Sequence, residues 1–264
     1  MIPICDIIIP TYNNEHYTVN CIRSIVENTR RGSYRIIWVD NNSAQPGPVK
    51  RALQGYDHVA IRLAKNYGFV GAVNYGISES RAPFVCLLNN DTIVPARWLQ
   101  KLLNAMTKYP RLGIVGPLTA PPPPEFPKNY DSHHSIRHIE DHAGKRIFPE
   151  FKDLQDFNEK IEAAFPTKIM PIAFVAFLCA VIRREVIDAV GLLDNNYAMG
   201  MYDDNDYNLA ARKAGWETML LWDTCIKHFG RSTFKEVEKK EGLDVGALLR
   251  RNHAYLKRKW GLHV

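Results

Sequence analysis

The 264-residue chain has little that would tie it to a membrane or to an oxidising compartment. No stretch approaches the roughly 18 uninterrupted apolar residues of a membrane span. Residues 6–10 already read as a strand, so no apolar leader opens the sequence, and a cytoplasmic setting is expected. Cysteines are few, odd in number and widely spaced (Cys5, Cys21, Cys86, Cys179, Cys225), with no Cys-x-x-Cys pair, so they read as reduced, buried thiols. Two phosphate cradles are also missing. The first strand is not followed by Gly-x-Gly-x-x-Gly, and no Gly-x-x-x-x-Gly-Lys occurs, which argues against a nicotinamide-type dinucleotide site and a P-loop. What is present is a net charge of +6, which suits an anionic partner without choosing among a phosphorylated small molecule, a membrane surface and nucleic acid.

Strand, loop and helix alternate through the first third of the chain. Asp6–Pro10, Arg35–Asp40 and Val59–Leu63 read as strands. Val19, Ile22, Ile25 and Val26 repeat at helical spacing, and a second helix carries Asn74 and Gly76. The unbroken apolar run Phe84–Leu88 reads as a strand buried on both faces, the central strand of a parallel sheet with right-handed crossovers. It ends in Asn89-Asn90-Asp91, at the carboxyl strand edge where open α/β sheets bind their ligands. A carboxylate there can hold a hard cation that neutralises a phosphate, although three such residues also make an ordinary polar turn. Beyond the apolar helical stripe Trp98, Leu99, Leu102, Leu103, Met106 and a strand at Leu112–Gly116, residues 119–171 change character and read as an insertion. It holds four successive prolines (Pro121 to Pro124) and His133, His134, His138 and His142. The spacing of four would align three of these histidines on a helix, but no cysteine or carboxylate pattern completes a metal set, so a solvated substrate-facing loop is the simpler reading. A short helix is expected over Asp153–Ala164, a strand over Phe174–Ile182, a helix from Arg183 to Gly191, and a strand at Met219–Trp222. Between the last two lie Asp203, Asp204 and Asp206, three carboxylates in four residues. Capping of the following helix explains one of them well and three poorly.

Taken in order, Ile8–Asn13, Val39–Ser43, Asn66–Ile77, Leu87–Thr92, Ile182–Val186, Asp203–Asp206 and Arg212–Gly215 resemble an inverting family 2 glycosyltransferase, in the branch that includes bacterial rhamnosyltransferases. The resemblance runs from about Asp6 to Ser232 and skips the insertion. It implies an α/β, GT-A fold: a single Rossmann-like, mostly parallel mixed sheet flanked by helices over residues 1–232. The insertion would then be an acceptor-side loop, and residues 233–264 a basic helical extension. The implied substrate is a nucleoside-diphosphate sugar, UDP- or dTDP-linked, and the implied cofactor is Mn²⁺ or Mg²⁺. Residue by residue, Thr11, Tyr12, Asn13 and Asp40 would hold the base and ribose, and Asn66 and Asn74 would complete the nucleotide pocket. Asn89-Asn90-Asp91 would stand for the family's Asp-x-Asp, with Asn89 in place of the first aspartate. Asp91 and His228 would ligate the metal. Asp203-Asp204 matches the pair whose second carboxylate is the general base, with Asp203 and Asp206 orienting the acceptor or raising the base's pKa. The acceptor implied is a glycan or a lipid-linked glycan.

The last segment interleaves Leu248, Leu249, Tyr255, Leu256 and Trp260 with Arg250, Arg251, Lys257, Arg258 and Lys259. Such a helix either packs its apolar side on the domain or rests on an anionic membrane as a peripheral contact. Two further readings stand beside the leading one. A basic transferase of this fold could glycosylate modified DNA bases, tracking phosphates with its positive surface. Alternatively, the chain could bind a nucleotide sugar or nucleic acid without turnover, though Asp91, Asp204 and His228 would then have no use.

Overall fold

The computed structural model describes residues 4–120, 152–230 and 242–261, with isolated positions between 136 and 148 and at 237–238. The chain runs β1 (Cys5–Thr11), α1 (Glu15–Asn28), β2 (Tyr34–Asp40), α2 (Gly47–Ala52), β3 (His58–Arg62), α3 (Gly68–Glu79), β4 (Phe84–Leu88), β5 (Thr92–Ile93), α4 (Trp98–Lys108) and β6 (Leu112–Ala120). It continues with α5 (Leu154–Ala164), β7 (Ile169–Pro171), β8 (Cys179–Arg183), α6 (Arg184–Val190), α7 (Asp203–Lys213), β9 (Glu217–His228) and α8 (Val245–Trp260). Among the described residues the sheet has nine strands in the order β3-β2-β1-β4-β8-β6-β9-β5, with β7 also paired to β9. β1, β2, β3, β4, β6 and β9 run one way, while β5, β7 and β8 oppose them. The mostly parallel mixed sheet implied by the family resemblance is therefore present, with antiparallel strands that the alternation alone did not predict.

Two apolar layers cover the sheet because side chains alternate along a strand. Ile7 and Ile9 of β1, Trp38 of β2 and Cys86 of β4 point to the layer made by α1, α2 and α4. Ile8, Ile37, Val39, Val85 and Leu87 point to the layer made by α3, α6, α7 and α8. Each fully buried side chain of this size contributes about 1.5–3 kcal/mol, so neither face of β1 is dispensable. Asp6 is the one charged residue at the amino end of β1, and it has no exposed surface. Burial would raise its pKa, but the bidentate contact with Arg35 (2.9 and 3.0 Å) and the N–H groups of Ala82 and Arg81 bring it below the ordinary value.

Three boundaries differ from the sequence reading. The apolar run Phe174–Leu178 is not strand: β8 begins at Cys179, because β4 supplies only five partners and these are filled by Cys179–Arg183. Met219–Trp222 and Cys225–His228 are one strand, β9, whose register against β6 slips after Pro117, where proline has no N–H to donate to the ladder. The described part of the insertion is built into the body, since α5 buries Phe157 and Ile161 with Trp222 and Leu118 in a third apolar cluster, and β7 pairs with β9. His133, His134, His138 and His142 lie outside the described residues. All five cysteines are free and buried, as expected. Among the described residues no helix is long and apolar enough to cross a membrane.

Candidate active site

The loops after β1, β2, β3 and β4 leave the same edge of the sheet. In-register pairing places Thr11 beside Asp40, and Asp40 beside Arg62. At β1 the connections turn to either side, toward β2 and β4, which makes this edge the switch point where an open α/β sheet forms a crevice.

On the β2 side the loops hold one another. Asn13 donates its backbone N–H to Ser43 Oγ (2.8 Å) and accepts from the Ala44 N–H (2.9 Å). Asp40 accepts from the Ser43 N–H (2.8 Å) and from the Arg62 guanidinium, and it is fully buried. Asn66 Oδ1 accepts from Asn41 Nδ2 (2.7 Å) and from the Gly68 N–H (2.9 Å), while Asn41 Oδ1 accepts from the Tyr67 N–H. Tyr12 is half-buried on the same rim. The Thr11 hydroxyl faces inward and accepts from Trp38 Nε1 (3.1 Å), so what β1 offers the crevice at this position is backbone. Asn74 departs furthest from its expected place in the nucleotide pocket. Its amide donates to the Leu193 carbonyl (2.9 Å) and Asn195 Oδ1 (3.1 Å) and accepts from the Leu193 N–H, so every polar atom of the side chain ties α3 to the 192–197 loop.

The β4 loop and the end of β9 form the second group. β5 pairs Thr92 with His228 and so brings residues 137 positions away in sequence against the Asn89-Asn90-Asp91 turn. His228 Nε2 lies 3.2 Å from Asp91 Oδ1 and 3.4 Å from Asn89 Nδ2. Asp91 is 5% exposed. Asn90 turns the other way and donates to Thr18 Oγ1 of α1 (3.0 Å), anchoring the turn from below.

The acidic group sits at the start of α7. Asp203 is buried and Asp204 half-buried. Burial, followed by the neighbouring Asp204 charge, pushes the Asp203 carboxyl well above the usual range. Burial also raises Asp204, against which the N–H groups of Asn205 and Phe177 pull. The charge of Asp206 adds to the rise at Asp203, but its two oxygens are taken by Lys259 Nζ (2.8 Å) and Trp260 Nε1 (2.7 Å). Two contacts join the three groups. Phe177 donates its N–H to the Asp204 carboxylate, and the next residue, Leu178, accepts from the Asn89 N–H (2.9 Å). On the other flank the Val70 N–H donates to the Ala198 carbonyl (3.1 Å), and Gly68 packs so close that a Cβ there would lie 2.4 Å from that oxygen.

A family model described as glycosyl transferase family 2 matches residues 6–191, which takes in β1 through α6 and so both the Asp40 loop and the Asn89–Asp91 turn. The chain belongs to glycosyl transferase family 2. It is 26% identical over 275 residues to the uncharacterized protein y4gI of Sinorhizobium fredii, covering 99% of this chain and 28% of that protein. An N-acetylglucosaminyltransferase of Bradyrhizobium elkanii is 32% identical over 125 residues, covering 46% of this chain and 69% of the relative. Among solved structures, the mannosyltransferase PcManGT of Pyrobaculum calidifontis, in complex with GDP-Man and Mn²⁺, superposes with a TM-score of 0.61 at 17% identity over 86% of this chain and 57% of its own. This family 2 chain therefore spans well under a third of the first relative's length, and its fold is that of the GT-A glycosyltransferases.

Sequence reasoning missed several residues of this crevice. Arg62 was legible in principle, as a cation at the carboxyl end of a strand that pairs with Asp40. So was Asn252, a lone amide between Leu248 and Leu256 at the i, i+4 spacing of a buried helix face. Asn41 and Ser43 lie within a matching stretch, but nothing local tells which of a row of small polar residues will serve as a brace. The apolar side of the C-terminal helix packs on the domain: Leu256 is buried in the α3–α6–α7 layer, and Lys259 is paired with Asp194 (2.7 Å) and Asp206.

Proposed function

We propose that this chain transfers a sugar from a nucleoside-diphosphate sugar, UDP- or dTDP-linked, to a hydroxyl of a glycan or lipid-linked glycan, with inversion at the anomeric carbon. The observation that carries the reading is the single Phe177–Leu178 step that links Asp204 to Asn89. It ties the carboxylate of raised proton affinity to the turn that carries Asp91, which supports a base and a cation site serving one crevice. Asp204 accepts the acceptor hydroxyl's proton as the new bond forms at the anomeric carbon and the bond to the diphosphate breaks. A base whose pKa lies above the ordinary carboxylate range is better matched to that task. Asp203 lies deeper and is more strongly raised, by burial and by the charge of Asp204.

The nucleotide would lie on the β2 side, between the Tyr12 ring and the loops braced by Asn13, Asp40 and Asn66. Because Asp40 is already committed to Arg62, the two act toward a base as one hydrogen-bonding unit. Asp91 and His228 would hold Mn²⁺ or Mg²⁺: a nearly buried carboxylate oxygen and an imidazole nitrogen converge there, ligands that suit a hard or borderline divalent ion. Among the described residues no group of three or more His, Cys, Asp or Glu side chains assembles, so the protein side of such a site is sparse and leaves room for phosphate oxygens. A divalent ion at this place supplies charge stabilisation to a leaving diphosphate. The solved relative with GDP-Man and Mn²⁺ supports both the donor class and the metal. Exposed Arg250, Arg251 and Arg258 on α8 support work at an anionic bilayer surface carrying a lipid-linked acceptor.

The test is a thermal-shift panel of uridine, thymidine and guanosine diphosphates and their sugars, with and without Mn²⁺, run beside a transfer assay. A nucleotide at a hundredfold over its Kd stabilises by about 2.7 kcal/mol, roughly 5–10 °C for a chain of this size. Asp204→Asn should keep the metal-dependent shift and lose transfer. Loss of both would make Asp204 structural, and no shift with any nucleotide would remove the donor site.

A further inference from the structure

The turn that delivers Asp203 and Asp204 to the crevice is held from outside the matched family segment, by α8. Ala198 (φ 45°), Met201 (φ 71°) and Tyr202 (φ 68°) all sit in the left-handed region that side-chain-bearing residues avoid, three such residues within five positions. A turn of this kind persists only where its surroundings over-determine it.

Those surroundings are one face of α8. Asn252 is 1% exposed and lies on the helix's apolar side between Leu248 and Leu256. A buried amide is tolerated there only if its groups are satisfied. Its nitrogen donates to the carbonyls of Gly200 (2.9 Å) and Met201 (3.0 Å), with that of Tyr197 at 3.4 Å, and Arg251 Nε donates to its oxygen (3.0 Å). The Arg251 contact fixes which end of the amide faces the turn, since an oxygen there would oppose three carbonyl oxygens. One residue on, the His253 ring stacks on Tyr202, the residue before Asp203, at 5.1 Å and 15° between planes. Two turns further, Lys259 and Trp260 hold Asp206.

We propose that Asn252 is a positioning residue for the acidic pair: by bonding the carbonyls of the 197–201 turn it holds the left-handed backbone that aims Asp204 at the acceptor and keeps Asp203 buried. This rests on the reading of Asp204 as base. The donor side has braces of its own, through Asn13–Ser43, Asp40–Arg62 and Asn41–Asn66, besides its contact with the turn at Val70–Ala198, so loss of Asn252 weighs on turnover more than on donor binding.

The experiment compares the full chain with Asn252→Ala, Asn252→Asp, the exposed His253→Ala, and Leu102→Ala as a control that loosens the opposite layer. Three quantities are read: amide hydrogen exchange by mass spectrometry, nucleotide binding by thermal shift, and transfer kinetics. Asn252→Ala should speed exchange within residues 197–206 at least tenfold relative to β1–β4. It should lower kcat 10- to 100-fold, and leave donor KM and nucleotide affinity within twofold. Asn252→Asp should be worse than alanine, because it sets an oxygen against the carbonyls. His253→Ala, which removes only a surface ring, should show the same local pattern at smaller size and keeps the test decisive if the Asn252 variants fold poorly. Unchanged exchange at 197–206 in both the Asn252 and His253 variants overturns the proposal, as does an equal fall in kcat in Leu102→Ala. Absence of transfer by the wild type with every donor would sink the assignment of Asp204 instead, and the exchange pattern would still decide whether Asn252 holds the turn.

Discussion

Replacing Gly68 by alanine tests the contact that joins the nucleotide side of the crevice to the acidic side. Gly68 has φ +76°, and a Cβ added there would meet the Ala198 carbonyl oxygen at 2.4 Å, its carbon at 2.7 Å and Met199 Cα at 3.0 Å, all backbone. A left-handed alanine costs about 1–2 kcal/mol. Forcing a methyl group into packed backbone adds about 1–3 kcal/mol. The backbone cannot retreat cheaply, because the Val70 N–H holds the same Ala198 oxygen and Asn252 holds the following carbonyls. Gly261 provides the control: its φ of +62° and ψ of 32° are left-handed, yet a Cβ there meets nothing within 4 Å, so Gly261→Ala should show only the conformational cost. In urea denaturation Gly68→Ala should therefore be less stable than Gly261→Ala by about 1–3 kcal/mol at unchanged m. Transfer should also fall in Gly68→Ala alone, since the displaced segment leads into Asp203. Equal midpoints for the two variants would refute the close approach of α3 to the 198–200 segment.

Two stability predictions follow from the buried carboxylates. Asp203 titrates above its ordinary value of 3.8 in the fold, so the native state favours its protonated form and loses stability as pH rises through the folded value. Asp203→Asn should be more stable than wild type at neutral pH. The gain accrues at up to about 1.4 kcal/mol per pH unit between the unfolded and folded values and vanishes below the ordinary value, which melting curves across pH would show. Asp6 has the opposite sign: its folded pKa is depressed, so its contribution is present above 3.8 and lost as pH falls through the folded value. Asp6→Ala leaves Arg35 and the N–H groups of Arg81 and Ala82 without their acceptor, and should cost about 3–5 kcal/mol at neutral pH in chemical denaturation. The difference from wild type should shrink in acid. A loss under 1 kcal/mol would mean that water replaces the carboxylate.

The sequence by itself determined the layering and the edge. Apolar runs such as Ile7-Ile8-Ile9 and Val85–Leu88 can be satisfied only between two helical layers, and alternation with helices forces their carboxyl ends to one side. That was enough to place Asp40 and Asn89–Asp91 at one sheet edge, because each directly follows a strand whose direction is fixed; Asp203–Asp204 entered only through the family resemblance. Tertiary structure decided which polar atoms remain for chemistry. Asn74 meets Leu193 across 119 residues, Asp206 meets Trp260 across 54, and Asn252 meets Gly200 across 52. Such pairings depend on how loops and helices dock after the sheet has formed. Periodicity reports a residue's own element and not its distant partner, so a carboxylate used as a brace and one left to act as a base look alike until the chain has folded.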